Sequence, residues 1–337
     1  MKKRNLLIGI AFNAYDPVIG KPVERESDES IEQTAREVLE AVTELGYSAF
    51  VIPLQKSFMN FLQRIRVSNA DVVINLCEAF LGRAELEANV AAALELLDVP
   101  FTGNGSHTLA ICQNKFKTKA ILSSWGLPTA PGQLITSPDQ KIELPFPLIV
   151  KPNSGDASEG IHPDSVVQNE ESLQKQVQNI LKYFQQPALV EAFIDGREFN
   201  VAVIENHEPR ALPVSEIEFR EMPKGVPHIC SYEAKWFEDH VLYKATPPVC
   251  PAKIDDSLRD RLQETALSVF QVMGCQDYAR VDFRMAKDGQ ISILEVNPNP
   301  DISLNAGYAR ALKASGKEYK MFWEQMVANA LKRKEKA

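Results

Sequence analysis

Four residues near the C-terminal end carry the strongest chemical signal in the chain: Arg280, Asp282, Glu295 and Asn297. They sit in two runs of alternating polar and apolar residues separated by Asp288-Gly289, a dipeptide that favours a tight hairpin because the central turn residues need φ > 0. If Asp288-Gly289 is a two-residue loop, Lys287 faces Gln290, Met285 faces Ser292, Phe283 faces Leu294, Asp282 faces Glu295, Val281 faces Val296 and Arg280 faces Asn297. Side chains alternate in strands, so Arg280, Asp282, Glu295 and Asn297 share one face. Val281, Phe283, Leu294 and Val296 then share an apolar core face. Directly opposed carboxylates, about 5 Å apart, destabilise a sheet unless something positive lies between them. Two carboxylates and an amide oxygen are hard ligands of the kind that hold Mg²⁺ beside substrate phosphates. The other reading of this stretch alone is a solvated polar face in which Arg280 neutralises one acid.

Three further stretches could act with it. Phe146-Pro147-Leu148-Ile149-Val150-Lys151-Pro152 reads as a strand delivering a lysine into the small-residue loop Asn153 to Ile161. Main-chain N–H groups of such a loop form an anion-binding concavity, and Lys151 adds a point charge, so phosphate fits; alone, the loop is equally a surface turn. No GxxxxGK[ST] pattern occurs. Glu191 ends an apolar strand next to Phe193 and could accept from an exocyclic amine, while Glu198 could bind ribose hydroxyls; either is also readable as a solvated or paired acid. Tyr232-Glu233-Ala234-Lys235-Trp236 lies in the long irregular stretch 221–251, a length typical of active-site loops, or else of a surface strand with a snorkelling lysine.

The elements that must position these residues follow from periodicity. Leu6 to Phe12, Ala49 to Leu54 and Asp71 to Leu76 read as buried parallel strands, Val99-Pro100-Phe101 starts a fourth, and Ile31 to Leu45, Phe58 to Ile65 and Glu85 to Leu97 are the helices between them. Leu109 to Ser124 reads as one helix carrying Lys115, Lys117 and Lys119. Short strands with glycine turns follow to about Arg197, with a helix over Glu171 to Phe184; Leu258 to Met273 and Tyr319 to Leu331 read as long helices. Gly103-Asn104-Gly105 lacks the third glycine of a dinucleotide fingerprint, Thr108 standing there, and reads as a tight turn.

The 337 residues allow two or three domains with substantial cores. A net charge of -8 argues against general nucleic-acid or anionic-membrane binding. The five cysteines (Cys77, Cys112, Cys230, Cys250, Cys275) form no CxxC, so neither disulfides nor a zinc site is expected, and a reducing cytoplasm fits. Met1 to Arg4 before the apolar run resembles a signal peptide, but no small-residue cleavage site follows; no run is long enough to span a membrane. The basic end, Lys332 to Lys336, reads as a solvated tail. No GxSxG and no histidine pair of ligand spacing occurs, so covalent hydrolysis has no support.

Taken in order, these pieces resemble ATP-grasp enzymes, and most closely the D-alanine–D-alanine ligase family. The resemblance rests on Phe101 to Ser106, Asn114 to Lys119, Val150-Lys151-Pro152, Val190-Glu191 through Gly196-Arg197-Glu198-Phe199, Tyr232 to Trp236, Cys250-Pro251-Ala252, and Leu294-Glu295-Val296-Asn297-Pro298. It implies a mixed α/β (α+β) ATP-grasp fold. An N-terminal parallel-sheet, Rossmann-like domain would span 1–107, a central lid domain 108–194, and a C-terminal domain with the metal site 195–337. It implies that Lys115 and Lys151 contact ATP phosphates, Glu191 the adenine amine, Glu198 the ribose, and the main chain at Phe193 and Ile194 the rest of the adenine. Lys235 would reach the γ-phosphate. Asp282, Glu295 and Asn297 would hold two Mg²⁺ ions, with Mn²⁺ able to substitute. Arg280, Lys235 and Ser158 are the catalytic residues it implies, and Tyr232, Asp301 and Ser303 are placed at the substrates. The implied partners are a small-molecule carboxylate and an amine, without nucleic acid or membrane, in a cytoplasmic homodimer.

The chain also departs from the family. Its first strand runs into Phe12-Asn13-Ala14-Tyr15-Asp16 rather than a glycine-rich motif, and its third ends in Cys77-Glu78 where the family carries histidine-glycine. Ala157 replaces one of two adjacent serines, leaving Ser158. Asp301 stands at a glycine position, and Ala306 where a serine meets the second substrate's carboxylate. The expectation is therefore a ligase joining an amino acid or related acid to an amine other than D-alanine, in a specialised peptide or natural-product pathway. The alternatives are D-alanine–D-alanine ligation itself, or a non-catalytic nucleotide-binding regulator.

Overall fold

Leu7–Asn13 (β1) is the centre of a parallel sheet, flanked by Ser48–Leu54 (β2) on one side and Val72–Leu76 (β3) on the other. A computed structural model of the chain describes residues 6–14 and 26–335; residues 1–5, 15–25 and 336–337, with Met1 to Arg4, Tyr15, Asp16 and Lys336 among them, lie outside it. Apolar side chains without interruption make β1 a strand that can only be buried, and Glu26–Glu44 (α1) covers one face through Ala35, Val38 and Val42. Phe58–Ser68 (α2), N-capped by Ser57, covers the other with Phe61 and Ile65. The expected fourth strand shrinks to a single parallel bridge, Val73 to Phe101. Pro100 has no N–H for a ladder, so the pairing does not extend.

Glu87–Leu96 (α3) leads to Ser106–Cys112 (α4) and Lys115–Ser124 (α5). The expected single helix is thus two. Asn114 caps α5 by accepting from the Lys117 N–H at 3.0 Å, so the chain restarts there. Gly132–Ile135 (β4), Leu148–Pro152 (β5), Val166–Val167 (β6) and Ala188–Ala192 (β7) form an antiparallel sheet in the order β4-β7-β5-β6, backed by Glu170–Asn179 (α6) and one π-turn.

The largest sheet contains Arg197–Asn206 (β8), Glu208–Ala211 (β9), Ser215–Ile217 (β10), Pro248–Val249 (β11), Tyr278–Met285 (β12) and Ile291–Asn297 (β13). Between β10 and β11 lie two short helices, Tyr232–Trp236 (α7) and Val241–Ala245 (α8), where an irregular stretch was expected. Asp256–Val272 (α9) buries its apolar face on this sheet, and Cys112 and Leu122 from α4 and α5 join the same core. Gly307–Ala314 (α10) and Tyr319–Lys334 (α11) close the chain. The basic end is not a solvated tail: Arg333 grips the wholly buried Asp277 at 2.6 and 2.9 Å and donates to the Phe101 carbonyl.

Candidate active site

The β12–β13 hairpin sets the site. Arg280 pairs with Asn297 and Asp282 with Glu295, as the sequence predicts. Nearer the turn the register differs by one residue. Phe283 faces Ile293, Arg284 faces Ser292 and Met285 faces Ile291, with a bulge between the two registers. The turn is longer than expected: the Ala286 N–H donates to the Gln290 carbonyl, the Gly289 N–H to the Ala286 carbonyl, and of the two expected turn residues only Gly289 has positive φ. A three-residue loop of this kind shifts the ladder by one. The bulge restores the pairing where the charges lie. Leu294, expected in the core, lines the cavity instead, and Ile293 takes its place in the core at 1% exposure.

Arg280 holds Asp282 with two hydrogen bonds, Nε to Oδ1 and Nη2 to Oδ2, both 2.8 Å. Asn297 Nδ2 donates to Asp282 Oδ2 at 3.0 Å. Glu295 Oε2 lies 3.2 Å from Lys115 Nζ, which also donates to the Gly155 carbonyl. Burial opposes ionisation of Glu295, yet Lys115, Lys151 and Arg280 outweigh it and hold the carboxyl at about 2. Burial and the neighbouring Glu295 push Asp282 upward against the pull of Arg280. Asp282, Glu295 and the amide oxygen of Asn297 supply an all-oxygen donor set, with Arg280 and Lys115 beside it. That set fits Mg²⁺.

A second cluster sits between β5, β7 and α5. Glu191, 1% exposed, lies 2.5 Å from Lys151 Nζ and 2.7 Å from Lys119 Nζ. Burial alone would raise Glu191, and the two lysines reverse this. Lys119 Nζ and Glu191 Oε2 are thus each other's partner in a buried ion pair. Glu191 lines the cavity, but both of its carboxylate oxygens are ion-paired, Oε1 with Lys151 and Oε2 with Lys119. Phe193 and Ile194 line the same wall, but the Phe193 N–H is donated to the Pro147 carbonyl, so that group is not available to a base. Glu198, read as a ribose ligand or else a solvated or paired acid, pairs with Arg284 at 3.0 Å. Burial raises its pKa and Arg284 lowers it, with a net rise.

The loop after Lys151 is wound tightly. Ala157 and Ser158 are consecutive residues at positive φ, and Gly160 has positive φ with no room for a Cβ, which would fall 2.7 Å from the Pro152 ring. The loop and His162 after it are tied to α7 in three places and to Cys230 just before it in a fourth. Ser158 Oγ donates to the Cys230 carbonyl at 2.9 Å, Trp236 Nε1 to the Ala157 carbonyl at 3.0 Å, and the Tyr232 N–H to the Ile161 carbonyl at 2.8 Å; His162 Nδ1 lies 2.7 Å from Glu233 Oε1. Burial opposes ionisation of Glu233, but its hydrogen bonds, first that with His162, hold it at about 2. These ties bring Lys235 to the wall shared with Arg280 and Asp282.

One cavity of about 800 Å³ joins Lys151, Ser158, Glu191, Phe193, Ile194, Glu198, Lys235, Arg280, Asp282, Glu295 and Asp301. Asn297 and Asp301 line a smaller neighbouring hollow with Glu78 and Asp156. Three expected positions move. Lys115 is buried behind Glu295 at 8% exposure and does not line the cavity. Tyr232 is buried at 2% among the rings of His162, Trp236 and Phe237, lining neither hollow. Ser303 shapes the Asp301 loop by donating its N–H to Asp301 Oδ1 at 3.0 Å and is likewise off the cavity wall.

A family model described as the C-terminus of D-Ala–D-Ala ligases matches residues 122–328. The chain belongs to the D-alanine–D-alanine ligase family. A D-alanine–D-alanine ligase of Alcanivorax borkumensis is 33% identical over 256 residues, covering 76% of this chain and 76% of the relative. An uncharacterised Sinorhizobium fredii protein is 32% identical over 292 residues, covering 85% and 83%. The D-alanine–D-alanine ligase of Bacillus anthracis complexed with ATP superposes with a TM-score of 0.77 at 20% identity, covering 98% of this chain and 99% of that one. The ATP-grasp architecture is therefore that of this family. Within it, Lys119, Arg284 and Glu78 are the site residues that sequence reasoning did not assign. Arg284 shares its strand parity with Arg280 and Asp282, so alternation could have found it. Lys119 and Glu78 meet the site only through long-range packing.

Proposed function

We propose that this protein is an ATP-dependent carboxylate–amine ligase that activates an acid as its acyl phosphate. The observation that carries the reading is the convergence of Arg280, Lys235, Asp282 and Glu295 on one cavity that Lys151 and Glu191 also line. In the first step a substrate carboxylate oxygen attacks the γ-phosphorus of ATP and the bond to the β–γ bridging oxygen breaks, releasing ADP. In the second an amine nitrogen attacks the acyl carbon, the carbon–oxygen bond to phosphate breaks, and an amide and phosphate leave, the amine's proton passing to solvent. Such transfers need positioning and charge neutralisation more than covalent help. Lys151 and Lys235 bring cations to the phosphates. Arg280 keeps Nη1 free of any protein partner among the described residues, so it can meet the developing oxyanion. Asp282, Glu295 and Asn297 would hold Mg²⁺, which supplies Lewis-acid neutralisation of phosphate charge.

The acid is an amino acid or a close relative, and the acceptor is an amine other than D-alanine. The support is local: Glu78, Asp156 and Asp301 crowd the hollow beside Arg280, and in the sequence Ala306 and Asp301 replace the family's serine and glycine. We place the enzyme in a specialised peptide or natural-product pathway on the same ground. D-alanine–D-alanine ligation is the second reading, favoured by the names of the Alcanivorax and Bacillus relatives. We further propose that 1–107, 108–194 and 195–337 act as three domains, with 108–130 packed on the third.

Hydroxylamine trapping tests the activation step. With ATP, Mg²⁺ and pools of amino acids, the protein is expected to form an amino-acid hydroxamate together with ADP. ATP turnover without hydroxamate from any pool contradicts acyl-phosphate chemistry.

A further inference from the structure

The large cavity continues past the reacting centre to the start of α10, where Arg310 lines it with Ala306 and Gly307. Arg310 is an arginine without an acid. Among the described residues it forms no ion pair, its Nη1 donates only to the Asn305 carbonyl, and its buried Nε has no partner. A guanidinium N–H withdrawn from water and left unpaired costs about 1–3 kcal/mol or more. A fold keeps such a group where something else satisfies it.

The direction of the side chain says what. In a helix, long side chains lean back over the turn before them, so Arg310 covers residue 306, four positions earlier. Ala306 offers it no obstruction and no hydroxyl. The Asn305 contact and the nearness of Arg310 Nη2 to Gly307, 3.6 Å from where a Cβ would stand, show that the guanidinium does reach the helix start. There the first-turn N–H groups lack helix partners, and Ala306 provides no side-chain cap. Asp301 stands on the same cavity wall, and its Oδ1 accepts from the Ser303 N–H rather than from Arg310. A cation and an anion thus share one wall without forming a direct ion pair, although the Asp301 charge is felt at Arg310.

We infer that Arg310 is the specificity-determining residue for the acceptor. It binds a carboxylate of the amine substrate, so that the acceptor is a zwitterionic amino acid or peptide and not a simple amine. A planar guanidinium matches a carboxylate fork in a way that a lysine does not. The inference rests on the ligase reading above and adds to it the acceptor's class.

The test is selectivity measured within each protein, so that any general loss of activity cancels. Wild type, Arg310→Met and Arg310→Lys are given ATP, Mg²⁺ and the acid found by hydroxylamine trapping. Each is assayed for kcat/KM with amino-acid acceptors and with the same amino acids as uncharged amides. Wild type is expected to prefer the acids by about ten- to a hundredfold, mainly through KM. Arg310→Met should bring the ratio near one, and Arg310→Lys should recover part of it. An unchanged ratio in Arg310→Met, or a wild type that does not prefer the acids, overturns the inference while leaving the ligase standing. Phosphonate acceptors that outcompete carboxylates overturn the ligand assignment. A wild type that traps no hydroxamate overturns the ligase reading, and this inference with it.

Discussion

Arg280 and Asp282, two residues apart on one strand, are joined by two hydrogen bonds of 2.8 Å. The strand's alternation puts both side chains on the cavity face, and the fork of one fits the carboxylate of the other. This fixes the guanidinium before any substrate arrives. A lysine cannot make the same fork. Arg280→Lys is therefore expected to lower kcat by about 10²–10³ with a much smaller change in KM for ATP, read from ADP formation at saturating substrates. A wild-type kcat would show that the fork only braces the strand.

Glu191 is held between Lys151 and Lys119 and is almost fully buried. Removing its charge leaves two buried ammonium groups without an anion. Glu191→Gln is expected to lose about 3–5 kcal/mol of folding stability in urea titrations, and ATP at high concentration should recover part of it. A loss below about 1 kcal/mol would mean that the lysines find other partners.

Glu87 on α3 accepts from Gln113 and Asn299 at 3.1 and 3.0 Å. Burial, with Asp156 adding to it, raises its carboxyl from 4.5 to about 8. Between those values the folded chain keeps the proton and the unfolded chain does not. Stability from this group is thus full below about 4.5 and is lost as pH rises through about 8. Glu87→Gln should flatten that decline by up to about 1.4 kcal/mol per pH unit, read by urea unfolding across the window. Parallel pH profiles for mutant and wild type would remove Glu87 as the cause.

The site was legible in the sequence where local rules decide it. Alternation placed Arg280, Asp282, Glu295 and Asn297 on one face, and their pairing is as expected. The turn was not legible, because Asp288-Gly289 suits both a two-residue loop and a three-residue loop with one positive φ. The resulting shift reversed Leu294 and Ile293, and only the bulge kept the charged pairs aligned. Lys119 was placed on its helix but given no role, because its partner Glu191 is 72 positions away in the chain and reaches it only by packing. The same holds for Arg333, whose buried partner Asp277 turned an expected tail into a clasp. Tyr232 was read as a substrate residue from its neighbours in the motif, but burial on α7 faces it inward.

The ligase reading is tested most directly by incubating the purified protein with ATP, Mg²⁺ and pools of amino acids, and following ADP and product mass together. The expected result is ADP formation that needs both an acid and an amine, with one new amide mass formed per ADP and an acceptor other than D-alanine. ADP formation that no pool raises above background would contradict the account, and stimulation by D-alanine alone would contradict the acceptor assignment.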